Sequence, residues 1–198
     1  MCDSTRNPND NRVILLDCFG LFIEDPYNQF FREKLGPDYG PTKDRFCHPG
    51  DRGEISYEEF LQNIGEYFHM DPTLIREWAK EVAKPKMDMV ELAKRCKRAR
   101  PTYLLSNCME NMIDEYLPRE VLSPCFDGLF LSNEMRLVKP TPEAFLYVLD
   151  ALNLSPDQVY FYDDNARNIE VAKSLGIHAT LFTSVEACEM DLKEKGLL

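Results

Sequence analysis

Apolar positions along the chain alternate between two rhythms. Val13-Ile14-Leu15-Leu16 is an unbroken apolar run with β-branched members, and it predicts a strand buried on both faces. The run stops at Asp17, and Gly20 follows. Further strands are predicted at Thr102-Tyr103-Leu104-Leu105, ending at Ser106, at Leu129-Phe130-Leu131, at Val159-Tyr160-Phe161-Tyr162, ending at Asp163-Asp164, and at Ala179-Thr180-Leu181-Phe182. Between them the spacing becomes helical. Met89, Leu92, Ala93 and Cys96 share one face, Phe145, Val148, Leu149 and Leu152 another, and Ile169, Ala172 and Leu175 a third, with Gly176 suited to cap the last. Repeated strand–helix units predict a doubly wound, Rossmann-like α/β fold with a parallel sheet.

The stretch from about Glu24 to Pro85 breaks this alternation and carries no strong strand signal. Phe60, Leu61, Ile64 and Phe68 lie on one helix face, with Ser56 and Glu59 placed as a capping box. Ile75, Trp78, Ala79 and Val82 lie on a second, which Asp71-Pro72 would start. The Gly- and Pro-rich piece from Gly36 to Gly53 reads as loop with short helical turns. The expected organisation is a core of residues 11–24 and 86–198, a helical insert at 25–85, and a polar leader at 1–10.

A formal net charge of −11 removes broad nucleic-acid binding from consideration, because a phosphate backbone is held by clustered Lys and Arg. It also offers no basic face to anionic lipid. No apolar run is long enough to span a bilayer, and the polar start, Met1 to Arg12, lacks the apolar core of a signal peptide. The seven cysteines include no CxxC pair, so they read as reduced, mostly buried thiols. A cytoplasmic setting is the expectation. The sequence carries no signal of oligomeric state.

Three predicted strands end in polar groups: Asp17, Ser106-Asn107 and Asp163-Asp164-Asn165. In a parallel sheet, neighbouring strand ends converge on one edge, where open α/β sheets place ligands. Lys139, before Pro140, could add a positive charge. A carboxylate attacking a phosphoryl group needs this set, since its own charge repels the substrate unless a cation and a lysine compensate. Hard oxygen ligands point to Mg²⁺. Taken singly the residues are weaker signals. Asp17 alone reads as a turn residue, Ser106-Asn107 as the N-cap of the next helix, and Lys139 as a surface charge. Cys18 has no histidine near it in sequence to activate it, and His48, His69 and His178 are scattered.

In order, the segments Leu15-Leu16-Asp17-Cys18-Phe19-Gly20-Leu21, Leu104-Leu105-Ser106-Asn107, Val138-Lys139-Pro140 and Asp163-Asp164-Asn165-Ala166-Arg167-Asn168 resemble the four motifs of the haloacid dehalogenase-like (HAD) hydrolase superfamily. The layout is most similar to a glucose-1-phosphatase-like branch with a helical cap after the first strand. Arg52-Gly53-Glu54-Ile55-Ser56 is among the shared features. The resemblance implies Asp17 as nucleophile, Ser106 and the backbone around Asn107 as phosphoryl contacts, and Lys139 as charge partner. It also implies Mg²⁺ held by Asp17, Asp164 and the carbonyl of Phe19. Asp163 is open between a second metal ligand and a turn former. Two positions depart from the family pattern. Phe19 stands where the general acid is usual and cannot donate a proton. Asn168 stands where many phosphatases carry an Asp. The expected function is a Mg²⁺-dependent phosphatase of a small phosphorylated metabolite, a sugar phosphate among the candidates. The alternatives are a 2-haloacid dehalogenase-type hydrolase, whose halide leaves unprotonated, and a weak or inactive HAD fold kept for binding.

Overall fold

The computed structural model describes residues 10–198; the leader call of 1–10, apart from Asp10, lies outside them. Five strands form one parallel sheet: β1 (Val13–Leu16), β2 (Thr102–Ser106), β3 (Gly128–Leu131), β4 (Val159–Asp163) and β5 (His178–Leu181). Their spatial order is β3-β2-β1-β4-β5, the doubly wound arrangement that the strand–helix alternation predicts. β1 pairs with β2 on one side and β4 on the other, with Leu16 opposite Leu104 and Tyr162. The strand order therefore reverses beside β1, and the crevice at its carboxyl end is where such sheets receive ligands.

Side chains along β1 point alternately to the two faces, and the core divides accordingly. Ile14 and Leu16 join Leu104 and Tyr162 under helices α5 (Met87–Ala99) and α11 (Val185–Glu194). Val13 and Leu15 join Leu105 and Phe161 under α9 (Pro142–Leu152) and α10 (Ala166–Ser174). Gly176, at φ +89°, takes the left-handed turn after α10, as its position in the pattern predicts. The short helices α6 (Met112–Tyr116), α7 (Arg119–Leu122) and α8 (Ser132–Met135) fill the connections on either side of β3.

A helical cap follows β1. It consists of α1 (Pro26–Leu35), α2 (Gly40–Asp51), α3 (Tyr57–Phe68) and α4 (Pro72–Val82). The expected starts of the last two are present: the Ser56 hydroxyl accepts from Glu59 N at 3.1 Å, and Asp71 accepts from Thr73 N at 2.8 Å. The reading of Gly36 to Gly53 as loop is corrected, because twelve of these residues form α2. Pro41 falls at the start of the helix, where its missing N–H is not needed, and Pro49 lies in the last turn. Tertiary contacts then outweigh the poor helix propensity. Lys43 reaches back to Asp25 Oδ2 at 2.8 Å, and Cys47 is buried. Helix α1, which the periodicity reading passed over, begins at Asp25, whose carboxylate accepts from Asn28 N at 2.9 Å. Its Phe30 meets Phe68 and Trp78 at centroid distances of 5.2 and 5.6 Å, edge to face. Such pairs each add about 0.5–1.5 kcal/mol beyond burial and hold the cap together as a unit.

Candidate active site

The site is built where β1 and β4 end side by side. Asp17 N–H donates to Tyr162 O at 3.0 Å, which carries the ladder one residue past β1 and fixes the Asp17 backbone beside Asp163. Asp17 is 7% exposed. Its Oδ1 lies 2.7 Å from Lys139 Nζ and accepts from Cys18 N at 2.7 Å. Oδ2 receives no hydrogen bond from the described residues, so one oxygen is anchored and the other is left free. Lys139 Nζ also lies 2.7 Å from Asp163 Oδ2. The same Asp163 oxygen accepts from Asn168 Nδ2 at 2.8 Å, and Oδ1 accepts from Asn165 N at 2.8 Å. Asp163 thus forms the turn and holds the lysine.

Asp164, unlike Asp163, lines the cavity. Gly20 permits this. It sits at φ +85°, and a Cβ there would lie 2.1 Å from Asp164 Oδ2, so only glycine lets that carboxylate lie across the turn after β1. One oxygen from each of Asp17, Asp163 and Asp164 lies within 4.8 Å of the others. Three carboxylates face one ammonium here, leaving two negative charges uncompensated. Burial, reinforced by Asp163 and Asp164 and opposed by Lys139, pushes the Asp17 carboxyl well above the usual range. Desolvation and the charge of Asp163 push Asp164 up to about 6. Burial by itself would lower the Lys139 ammonium, but Asp163 and Asp17 together outweigh it and hold the group above its ordinary value. The all-oxygen set suits a small hard divalent cation. A second feature fits a ligand as well: Asn168 Oδ1 is buried with no hydrogen-bond partner among the described residues, on a residue that lines the cavity.

The cavity holds about 140 Å³ and lies between core and cap. Asp17, Phe19, Asn107, Lys139 and Asp164 face it from the core, and Lys43, His48 and Asp51 from α2. Asn107 clamps the lysine segment: Nδ2 donates to Lys139 O at 2.8 Å, and Oδ1 accepts from Lys139 N at 2.9 Å. This corrects the N-cap reading of Ser106-Asn107, because α6 begins only at Met112, after Asn111. Ser106 is fully buried and stands behind the cavity wall, its hydroxyl 3.4 Å from Asn107 O. The Cys18 thiol is buried and pushed up by desolvation and by Asp17, which removes it as a nucleophile. Among the described residues, no helix is long and apolar enough to cross a membrane. The clamp of Asn107, the holding role of Asp163 and the presence of Asp51 were not visible as such in the sequence. A polar residue just past a buried strand was the one available signal for the first two.

A family profile for haloacid dehalogenase-like hydrolases matches residues 29–176. The chain is 26% identical over 194 residues to rat (Rattus norvegicus) bifunctional epoxide hydrolase 2, covering 92% of this chain and 33% of that protein. It is 27% identical over 140 residues to the D-ribitol-5-phosphate phosphatase of Bacteroides thetaiotaomicron, covering 64% of this chain and 66% of that enzyme. It therefore spans about a third of the first relative and about two thirds of the second. A HAD-family enzyme of Bacteroides thetaiotaomicron, crystallised as a magnesium complex, superposes with a TM-score of 0.70 at 24% identity, covering 87% of this chain and 93% of that one. The motif order, the fold and the extent of the profile match agree: the chain belongs to the haloacid dehalogenase-like hydrolase family.

Proposed function

We propose that this hydrolase removes the phosphoryl group from a small phosphorylated metabolite through a covalent aspartyl-phosphate on Asp17, with Mg²⁺ as its resident ion. One observation carries the reading: Asp17, Lys139, Asp163 and Asp164 converge at two adjacent strand ends with two negative charges left over. Asp17, Asp164 and the carbonyl of Phe19 would hold the ion. When bound, the ion supplies the positive charge that lets a phosphate dianion approach a carboxylate. Lys139 holds Asp17 Oδ1 and so fixes the rotamer that presents Oδ2 to phosphorus. Asn107 keeps the lysine segment in place from both sides. Asn107 and Ser106 are the proposed phosphoryl contacts, Ser106 by a turn of its hydroxyl away from Asn107 O and the Cys18 thiol. The cap excludes water while the phosphoryl group moves.

Similarity to a ribitol phosphate phosphatase supports the reaction class and leaves the substrate to be found. A dehalogenase needs no metal carboxylate, so Asp164 beside the Gly20 turn favours the phosphatase. The test is a panel of phosphate esters assayed with Mg²⁺, comparing wild type with Asp17→Asn, alongside chloride release from 2-chloropropionate without metal. Ester hydrolysis abolished by the substitution supports the proposal. Ester hydrolysis that survives it removes Asp17 as the nucleophile, and metal-free chloride release replaces the phosphatase with the dehalogenase.

A further inference from the structure

A phosphatase of this kind has to give the leaving alkoxide a proton as the P–O bond breaks, and Phe19 has none to give. The cap supplies a carboxyl group in the same cavity. We propose that Asp51, at the end of α2, is the general acid and base of this site, in place of the acid that Phe19 displaces. The inference rests on the phosphatase reading and extends it to the fate of the leaving group.

Three observations lead to Asp51. It lines the same cavity as Asp17 and Phe19, from cap helix α2. It is 8% exposed, yet its carboxylate accepts no hydrogen bond from any described residue. Neighbouring acids are engaged: half-buried Asp25 binds Lys43 and Asn28 N, and buried Asp163 binds Lys139, Asn165 N and Asn168. Folding alone gives no reason to bury an unpartnered carboxyl group, since desolvating it is unfavourable. Its backbone is also pinned to the core. The Ser132 hydroxyl donates to Asp51 O at 2.6 Å and accepts from Cys108 N at 2.9 Å, just beyond Asn107. Arg136 caps the carbonyls of Arg52, at 3.1 Å, and of Gly53. Gly50 lies so close to Met109 that a Cβ would meet its sulfur at 2.8 Å. The cap thus presents Asp51 from a fixed segment that touches the strand-end loops on the core side.

The surroundings suit proton transfer. Burial pushes the Asp51 carboxyl up to about 7, with Asp25 and Asp44 adding to the rise and Lys43 and Arg52 opposing it; the buried thiols of Cys47 and Cys108 complete its titratable neighbours. A group poised there serves as acid and base in turn. His48, the other titratable group on this wall, is tied to Asp44 at 3.7 Å, and burial lowers its pKa. The steps balance as follows. Asp17 Oδ2 bonds to phosphorus, the bond from phosphorus to the leaving oxygen breaks, and that oxygen takes the Asp51 proton to depart as an alcohol. Water then attacks the aspartyl-phosphate, its proton passes to Asp51, and inorganic phosphate leaves Asp17.

The experiment compares wild type, Asp51→Asn and Asp51→Glu on p-nitrophenyl phosphate, which needs no acid, and on an alkyl or polyol phosphate, which does, all with Mg²⁺. The expected result in Asp51→Asn is a selective loss in kcat/KM, which reports the phosphoryl-transfer step: roughly 100-fold or more on the alkyl ester and less than about 3-fold on the aryl ester, while kcat falls on both because water attack loses its base. The pH–rate limb near 7 disappears with it, Asp51→Glu regains part of the alkyl activity, and Phe19→Asp in the Asp51→Asn background restores it. Equal losses in kcat/KM on both esters, no loss on the alkyl ester, or the same selective loss from His48→Asn overturns the assignment. Wild type that hydrolyses neither ester overturns the phosphatase reading, and this inference with it.

Discussion

Removing the Lys139 ammonium tests the electrostatics of the site most severely. In Lys139→Met the apolar part of the side chain keeps its packing, but Asp17 Oδ1 and Asp163 Oδ2 each lose a partner at 2.7 Å. Both carboxylates are buried, and breaking a buried ion pair from one side costs about 3–5 kcal/mol. At about 2–4 °C per kcal/mol for a chain of this length, the melting temperature in chelator at pH 7 falls by roughly 6–20 °C. The sign with pH follows from Asp17, whose carboxyl is already raised in the folded state by burial and by its acidic neighbours. Without the lysine it rises further. The folded protein then holds a proton that the unfolded chain has released, so stability falls as pH rises above the ordinary carboxylate range. The deficit of Lys139→Met against wild type therefore grows with pH above the ordinary carboxylate range and shrinks on acidification. Differential scanning calorimetry of both proteins in chelator at pH 5 and 7 measures it. A variant as stable as wild type at pH 7, or a deficit that grows on acidification, would refute the charge count from which the function is argued.

Other substitutions probe separate parts of the account. Asp164→Asn removes a proposed ion ligand, so the stabilisation by Mg²⁺, about 2.7 kcal/mol at a hundredfold excess over Kd in wild type, should vanish from thermal melts while stability in chelator is kept; an undiminished Mg²⁺ shift in that variant would contradict the ligand assignment. Gly20→Ala puts a methyl group 2.1 Å from Asp164 Oδ2 at a φ of +85°; calorimetric Mg²⁺ affinity should fall and stability should drop by about 1–3 kcal/mol, and unchanged values of both would show that the turn does not position Asp164. Tyr57→Phe interrupts a buried chain of hydroxyls, 2.5 Å from Tyr27 and 2.6 Å from Tyr116, that ties α1 and α3 to α6 on the core; urea unfolding should register a loss of about 1–3 kcal/mol, and no loss would mean that the chain adds nothing to cap docking.

Much of the fold was legible because the chain states it in two periods. The apolar run Val13–Leu16 had to be a central strand, and Phe60, Leu61, Ile64 and Phe68 had to be one face of a helix. Helix α1 was passed over, although Tyr27, Phe30 and Phe31 follow Asp25-Pro26 at helical spacing. Helix α2 was not legible: Gly40, Pro41, Pro49 and Gly50 are local breakers, and the contacts that override them, from Lys43 to Asp25 and from Gly50 to Met109, are made across the fold. Asp51 was hidden with it. In the run Asp51-Arg52-Gly53-Glu54 it looks like any solvated charge, and only the full length of α2 carries it to the cavity. The strand-end acids showed themselves by position. Which of Asp163 and Asp164 turns inward depended on Lys139 and Gly20, distant residues whose convergence no local pattern reveals.

The nucleophile is tested most directly by acid quench of the protein turning over a phosphate ester with Mg²⁺, followed by mass spectrometry of the peptide that contains Asp17. The account predicts a phosphoryl group on Asp17 in wild type and none in Asp17→Asn, which should also be inactive. Turnover of the ester with no phosphoryl group on Asp17, and full activity in Asp17→Asn, would contradict it.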